Sequence, residues 1–337
     1  MALTVTGFRS STTKVFRTTS MNILVFGKDG QLGKAFQSLS EDAYVSTQNQ
    51  VQLIGRDQCD LANPDALSRL LNQSKPNLII NAAAYTAVDK AESEADLAYA
   101  INAKAPELMA LYAAAHGSTF LHYSTDYVFD GNKEGIYLED DLRNPLGIYG
   151  QSKAAGEEAI VAAFGSASSG QFAIFRTSWV YGEGGNFIRT ILRLAKEREE
   201  LRVIHDQHGV PTSANWLARV SLDLALDQQM QLRIFSSGIY HAVPSGETTW
   251  HGLARVVTQA ALDAGIQLKA SPEAIKPILA IEYPLPAPRP MNSRMDNAKL
   301  QLALELSGDM SKLQHWNEDW LTQVQSYVSK LAEDGLI

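Results

Sequence analysis

Tyr149 and Lys153 stand four residues apart in the run Asn144-Pro145-Leu146-Gly147-Ile148-Tyr149-Gly150-Gln151-Ser152-Lys153. On a helix that spacing puts both side chains on one face, about one turn apart. A phenol is a poor acid at neutral pH, and an ammonium beside it stabilises the phenolate and draws its pKa toward the working range. Such a pair can deliver a proton. Upstream, Ser124-Thr125 ends an apolar run, and the Thr125 hydroxyl can donate a hydrogen bond to a substrate carbonyl.

The elements around these residues follow from the hydrophobic pattern. Asn22 to Phe26 is a short continuous apolar run, as expected for a strand buried on both faces of a parallel sheet. It leads directly into Gly27-Lys28-Asp29-Gly30-Gln31-Leu32-Gly33. Glycines at 27, 30 and 33 allow a tight turn, close approach of the backbone to a pyrophosphate, and close packing of the next helix on the strand. A phosphate-binding Walker loop is excluded, because Lys28 holds the place of its first glycine and Ala35 that of its magnesium-binding hydroxyl. Val51 to Ile54 is the second strand and ends at Gly55-Arg56, where an arginine suits the 2'-phosphate of NADPH better than the bare ribose of NADH.

Asn63-Pro64 caps and opens a helix, and Leu78 to Ile80 is the third strand. The small residues that follow, Ala82, Ala83 and Ala84 before Tyr85 and Thr86, let a flat cofactor lie against the backbone. Residues 87–116 read as helical with a break or kink near Pro106, and Thr119 to Tyr123 is the fourth strand. Beyond Arg176 the alternation loosens, as a second lobe interleaved with the sheet would produce. Arg189 and Arg193 sit one turn apart, on a solvated face or against a diphosphate. Tyr283 to Pro290 is a stiff extended segment, a pocket wall leading to Asn292-Ser293-Arg294 or a docking ligand for another protein.

The expected fold is α/β, a Rossmann-type doubly wound parallel sheet with a smaller interleaved C-terminal substrate-binding lobe. Residues 21–178 with about 203–240 form the dinucleotide-binding part, and about 179–202 with 241–337 the lobe. Residues 1–20, with three cations and no acid, read as a disordered extension.

The formal charge of -8 over 337 residues excludes a general nucleic-acid or membrane-surface binder. A single cysteine, Cys59, excludes an internal disulfide and a cysteine-based zinc cluster and fits the cytoplasm. His205 and His208 have no third ligand placed by sequence, so no metal site is assigned.

Glycines after the first strand, Ser124-Thr125 after the fourth, and Tyr149-x-x-x-Lys153 on the next helix together resemble the extended short-chain dehydrogenase/reductase superfamily. The resemblance narrows to the dTDP-4-dehydrorhamnose reductase family through Phe26 to Gly33, Asn81 to Glu92, Ser124 to Phe129, Arg176 to Tyr181, Asp206 to Thr212, Gly238 to His241, and Arg289 to Ser293. It spans Met21 to about Lys299.

That resemblance implies NADPH- or NADH-dependent reduction of the 4-keto group of dTDP-4-dehydro-beta-L-rhamnose, a nucleotide sugar, to dTDP-beta-L-rhamnose. It makes Tyr149 the proton donor to the C4 alkoxide, gives Lys153 the nicotinamide ribose, and has Thr125 polarise the carbonyl. It adds Gln31, Leu32, Asp60, Leu61, Ala84, Tyr85 and Thr86 to the cofactor site, with Asp126 and Trp179 facing the sugar. Some members bind magnesium at a dimer interface through a glutamate two residues after the third glycine; Ala35 stands there, which leaves magnesium, and monomer against homodimer, open. The rival readings are another nucleotide-sugar 4-ketoreductase, an epimerase or dehydratase, and a noncatalytic regulatory subunit of the same fold.

Overall fold

The computed structural model describes residues 20–41, 49–165, 169–306 and 308–337. The proposed extension at residues 1–20 therefore lies outside the described residues except for its last position.

Six strands form the central sheet: β1 (Asn22–Phe26), β2 (Gln50–Ile54), β3 (Leu78–Asn81), β4 (Thr119–Thr125), β5 (Gln171–Thr177) and β6 (Gly238–His241). Their spatial order is β6-β5-β4-β3-β1-β2, and every neighbouring pair is parallel. The order reverses between β1 and β3, so the carboxyl ends of these strands diverge there and leave a crevice.

Helices cover both faces. Alternate residues of the strands, among them Ile23, Val25, Ile80, Leu121 and Phe175, pack with α1 (Gln31–Glu41) and α6 (Ala214–Ala225). The intervening residues, Leu24, Phe26, Ile79, Phe120 and Ile174, pack with α2 (Pro64–Ser74), α3 (Ala105–His116) and Ile160 of α4 (Ile148–Phe164). Burial on both faces is why these strands are apolar runs without alternation.

A separate core joins α5 (Phe187–Glu197), α7 (Trp250–Asp263) and α8 (Trp320–Glu333) around the paired short strands Leu201–Ile204 and Ile275–Ile278. Leu300, Leu304 and Trp316, in the stretch the sequence reading gives to the lobe, pack instead into the core beside α1 and α6. Among the described residues no helix is long and apolar enough to cross a membrane.

The 87–116 segment is not one kinked helix. Short helices at Val88–Ala91 and Ala95–Tyr99 are followed by a turn of π-helix at Ala100–Lys104 before α3 begins. Pro106, in the first turn of α3, has no N–H to donate back, and the chain widens before it. The widened turn points Asn102 into the protein, where it is 1% exposed.

Candidate functional site

One cavity of about 870 Å³ lies along the carboxyl ends of the sheet. Its lining includes Gly27, Gly30, Gln31, Leu32, Arg56, Asp60 and Leu61 at one end, Ala83 to Thr86 along one side, and Thr125, Asp126, Tyr149, Lys153 and Trp179 at the other end. Of the residues assigned from sequence to catalysis, to the turn glycines and cofactor, and to the sugar, only Gly33 is absent from this lining.

The glycine turn has steric reasons of two kinds. Gly27 has φ of +90°, and a Cβ there would lie 2.7 Å from the Ala83 nitrogen; a Cβ on Gly33 would lie 1.9 Å from the Gly27 carbonyl oxygen. Those two glycines are required by the protein's own packing. Gly30 is different, because a Cβ there would meet only the Gly27 oxygen, at 3.4 Å. Its bareness serves the cavity, where the first turn of α1 presents unpaired N–H groups and the positive end of the helix dipole.

Arg56 sits at the end of β2 with its side chain 75% exposed, 3.5 Å from the Asp60 carboxylate. Lys34, on α1, makes a 2.6 Å ion pair with Glu183 in the glycine-rich loop 182–185, and both residues line the cavity. Arg193 pairs with Glu197 on a solvated face, and neither Arg189 nor Arg193 lines the cavity.

At the far end, β4 delivers Thr125 and Asp126 and the first turn of α4 delivers Tyr149. The Thr125 hydroxyl donates to Asp126 Oδ1 at 2.8 Å, and the Ser293 hydroxyl donates to Asp126 Oδ2. No residue of Tyr283 to Pro290 lines the cavity, so that segment is not its wall; Ser293, three residues on, reaches the cavity residue Asp126. Burial pushes the Asp126 carboxyl up to about 6, against the two hydroxyl hydrogen bonds that pull it down. Burial likewise pushes Tyr149 up to about 12, with a Thr125 hydrogen bond opposing and Asp126 adding to the rise.

Helix α4 is held from several sides. Its first N–H, on Ile148, donates to Glu92 Oε1 at 2.9 Å, so a residue from another element replaces the cap that Gly147 lacks. Asn102 donates to the Tyr85 carbonyl at 3.0 Å and to Ser152 Oγ at 3.0 Å, and accepts from the Tyr85 N–H at 2.9 Å. It ties the Tyr85 loop to the helix that carries Tyr149. Two turns into α4, Glu157 makes a two-point ion pair with Arg176 (2.9 and 2.7 Å) and accepts from Ser124 Oγ at 2.6 Å.

Lys153 is 1% exposed, and burial pushes its ammonium down to about 8, with Glu157 pulling it back up. Its Nζ donates to the Tyr123 carbonyl at 2.5 Å and lies 3.3 Å from His122 Nε2. Lys153 is not among the groups that oppose the rise at Tyr149, which burial dominates; its Nζ donates one hydrogen bond to the β4 backbone.

At the far end of the cavity, Trp179 has φ of +47°, rare for a bulky residue. Its indole stacks on Trp250 at 3.7 Å and 17°, and a Cβ on Gly209 would come within 2.7 Å of it. The strained backbone, about 1 to 3 kcal/mol, is held by the stacking on Trp250 and the close approach of Gly209.

Sequence reasoning missed Asn102, His122, Glu157, Glu92 and Trp250. Only two had a local signal: Asn102 as the one side-chain amide in an alanine-rich stretch, and Glu157 as the next residue after Tyr149 and Lys153 on their i, i+4, i+8 row.

Residues 21–329 match the family described as the RmlD substrate binding domain. The dTDP-4-dehydrorhamnose reductase of Shigella flexneri is 44% identical over 283 residues, 83% of this chain and 91% of that protein. The crystal structure of a dTDP-4-dehydrorhamnose reductase from Clostridium acetobutylicum aligns with a TM-score of 0.77 at 34% identity, covering 92% of this chain and 99% of that one. That of the Bacillus anthracis reductase in complex with NADP aligns with a TM-score of 0.75 at 28% identity, covering 92% and 99%. With a family match over most of its length and relatives of this identity, the chain belongs to the dTDP-4-dehydrorhamnose reductase family.

Proposed function

We propose that this protein reduces the 4-keto group of dTDP-4-dehydro-beta-L-rhamnose to dTDP-beta-L-rhamnose with a nicotinamide cofactor. The observation that carries the reading is the single cavity that runs from the glycine turn to Tyr149 and Trp179. It has the volume of a pocket for ligands of this size.

The residues present fit the cofactor. Bare backbone at Gly30 and the start of α1 suit a diphosphate. Gln31 Oε1 and Thr177 Oγ1 are buried, belong to cavity-lining residues, and have no hydrogen-bond partner among the described residues. Arg56 at the end of β2 favours a 2'-phosphate and hence NADPH, with NADH as the second cofactor. Gly27, Gly30, Gln31, Leu32 and Gly33, with Asp60, Leu61 and Ala83 to Thr86, build the rest of this half.

The bound cofactor supplies hydride to C4. Tyr149 protonates the C4 oxygen as it becomes an alkoxide, and the neutral phenol that burial enforces is the form required of an acid. Thr125 sits beside it to polarise the carbonyl, Lys153 holds the nicotinamide ribose, and Asp126 and Trp179 face the sugar. An assay of NADPH and NADH oxidation with the keto sugar, with and without magnesium, tests the reading. Tightly bound NAD with no net NADPH consumption would instead indicate an epimerase.

A further inference from the structure

His122 is 0% exposed at the heart of β4, one residue from Tyr123 and directly behind Lys153. Its two ring nitrogens have different neighbours. Asn81 Nδ2 lies 3.1 Å from Nδ1, and Lys153 Nζ lies 3.3 Å from Nε2. The Asn81 amide is oriented by a third contact, the Ala83 N–H donating to Asn81 Oδ1 at 3.3 Å. With that oxygen engaged, the amide NH₂ is what faces the histidine, and Nδ1 must accept. A neutral imidazole then carries its one proton on Nε2, aimed at Lys153 Nζ.

An N–H aimed at a nitrogen is favourable when that nitrogen has a lone pair and repulsive when it is an ammonium. We propose that His122 is a positioning residue that donates Nε2–H to Lys153, favours the amine form of that lysine, and so sets the pH at which the site loses its cation. The inference rests on the role of Lys153 given under the proposed function.

The groups around the pair agree with this arrangement. From β4 the Tyr123 carbonyl accepts from Nζ in either protonation state. From α4 itself, Glu157 is the charged neighbour that favours the ammonium, and its carboxylate is already shared with Arg176 of β5 and with Arg143. From β3, Asn81 is uncharged, and on β4 itself Phe120 packs obliquely on the imidazole at 6.0 Å. Nothing among these supplies the imidazole with an anion, and burial and the lysine charge both hold His122 well below its ordinary range. The histidine therefore stays neutral and acts as a fixed donor, not as a titrating relay.

Two substitutions separate donor from filler. His122→Gln keeps an acceptor for Asn81 and an N–H for Lys153, whereas His122→Leu removes both. The alkaline limb of the kcat/KM profile for NADPH-dependent reduction, where Lys153 loses its proton, is expected to move up by about one pH unit in His122→Leu, a tenfold change in the ammonium-to-amine ratio. In His122→Gln it is expected to stay at the wild-type position. An unmoved limb in a folded, NADPH-binding His122→Leu protein would overturn the proposal, as would an equal shift in both variants.

Nitrogen-15 NMR of the imidazole in the wild-type protein gives a reading independent of turnover and of either variant's folding. Nδ1 is expected to be unprotonated and Nε2 protonated across pH 6 to 9; an Nδ1–H tautomer or an imidazolium would refute the contact. If wild-type protein does not turn over the keto sugar, the reduction reading fails, while this spectrum and the carbon-13 titration of Lys153 Cε still decide the histidine's role.

Discussion

Asp126→Asn is expected to make the protein more stable at pH 8 and, where protonation has largely removed the charge penalty, slightly less stable at pH 4. Asp126 is 2% exposed, and burial lifts its carboxyl from 3.8 to about 6. The folded state therefore binds this proton more tightly than the unfolded chain does, so stability falls as pH rises through the interval from 3.8 to about 6. At 1.36 kcal/mol per pH unit the full penalty is about 3 kcal/mol, absent below the interval and complete above it.

Asparagine carries no charge and avoids the penalty, but it changes the local hydrogen bonds. Its Oδ1 still accepts from Ser293, while its NH₂ faces Thr125 Oγ1 and reverses that donor. One rearranged buried hydrogen bond costs about 1 kcal/mol, leaving a net gain of about 2 kcal/mol at pH 8. Urea unfolding of both proteins at pH 4 and pH 8 measures it, since all other titrations cancel in the difference. A gap that is the same at both pH values, or a variant less stable at pH 8, would refute the reasoning.

Tyr149→Phe is expected to bind NADPH, measured by fluorescence titration, and to lose nearly all turnover; near-normal activity would remove Tyr149 as the acid. Thr125→Val is expected to lower kcat by on the order of 2 to 4 kcal/mol with a smaller effect on KM, and an unchanged rate would take Thr125 out of the reacting site. Glu92→Ala leaves the Ile148 N–H uncapped, so thermal or urea unfolding is expected to show a loss of about 1 kcal/mol, and because Tyr149 is the next residue, kcat is expected to drop more than KM rises. An identical unfolding midpoint would show that solvent caps the helix equally well.

The sheet and the ends of the cavity were legible because their signals are local. A β-strand buried on both faces is an apolar run, and the glycine turn, Ser124-Thr125 and Tyr149-x-x-x-Lys153 are each confined to a few residues of sequence. What stayed hidden is long-range. Glu92 reaches a helix start 56 residues away, His122 meets Lys153 across 31, and Asn102 meets Ser152 across 50. The orientation of Lys153 was illegible for the same reason, because spacing places it near Tyr149 but cannot show that the Tyr123 carbonyl lies within reach. The break near Pro106 was visible, yet its form, a widened turn that turns Asn102 inward, depends on what that residue finds to bind.

Burial alone does not distinguish a structural charge from a working one; the partners do. Glu157 is fully buried, yet Arg176, Arg143 and Ser124 surround it, so its charge is matched inside the protein. Asp126 has two hydroxyls and no cation among its hydrogen-bond partners, and Lys153 has a backbone carbonyl and a neutral imidazole. Both therefore drift toward their uncharged forms, one upward to about 6 and the other downward to about 8. Those two groups are the ones that line the cavity, whereas Glu157 does not. The imbalance is tolerable because the matched pair beneath fixes their backbone: Ser124 anchors the strand end that carries Thr125 and Asp126, and Glu157 anchors the helix that carries Lys153. A site meant to receive hydroxyl-rich and anionic ligands gains by leaving its own polar groups incompletely satisfied, since the ligand then supplies the missing partners.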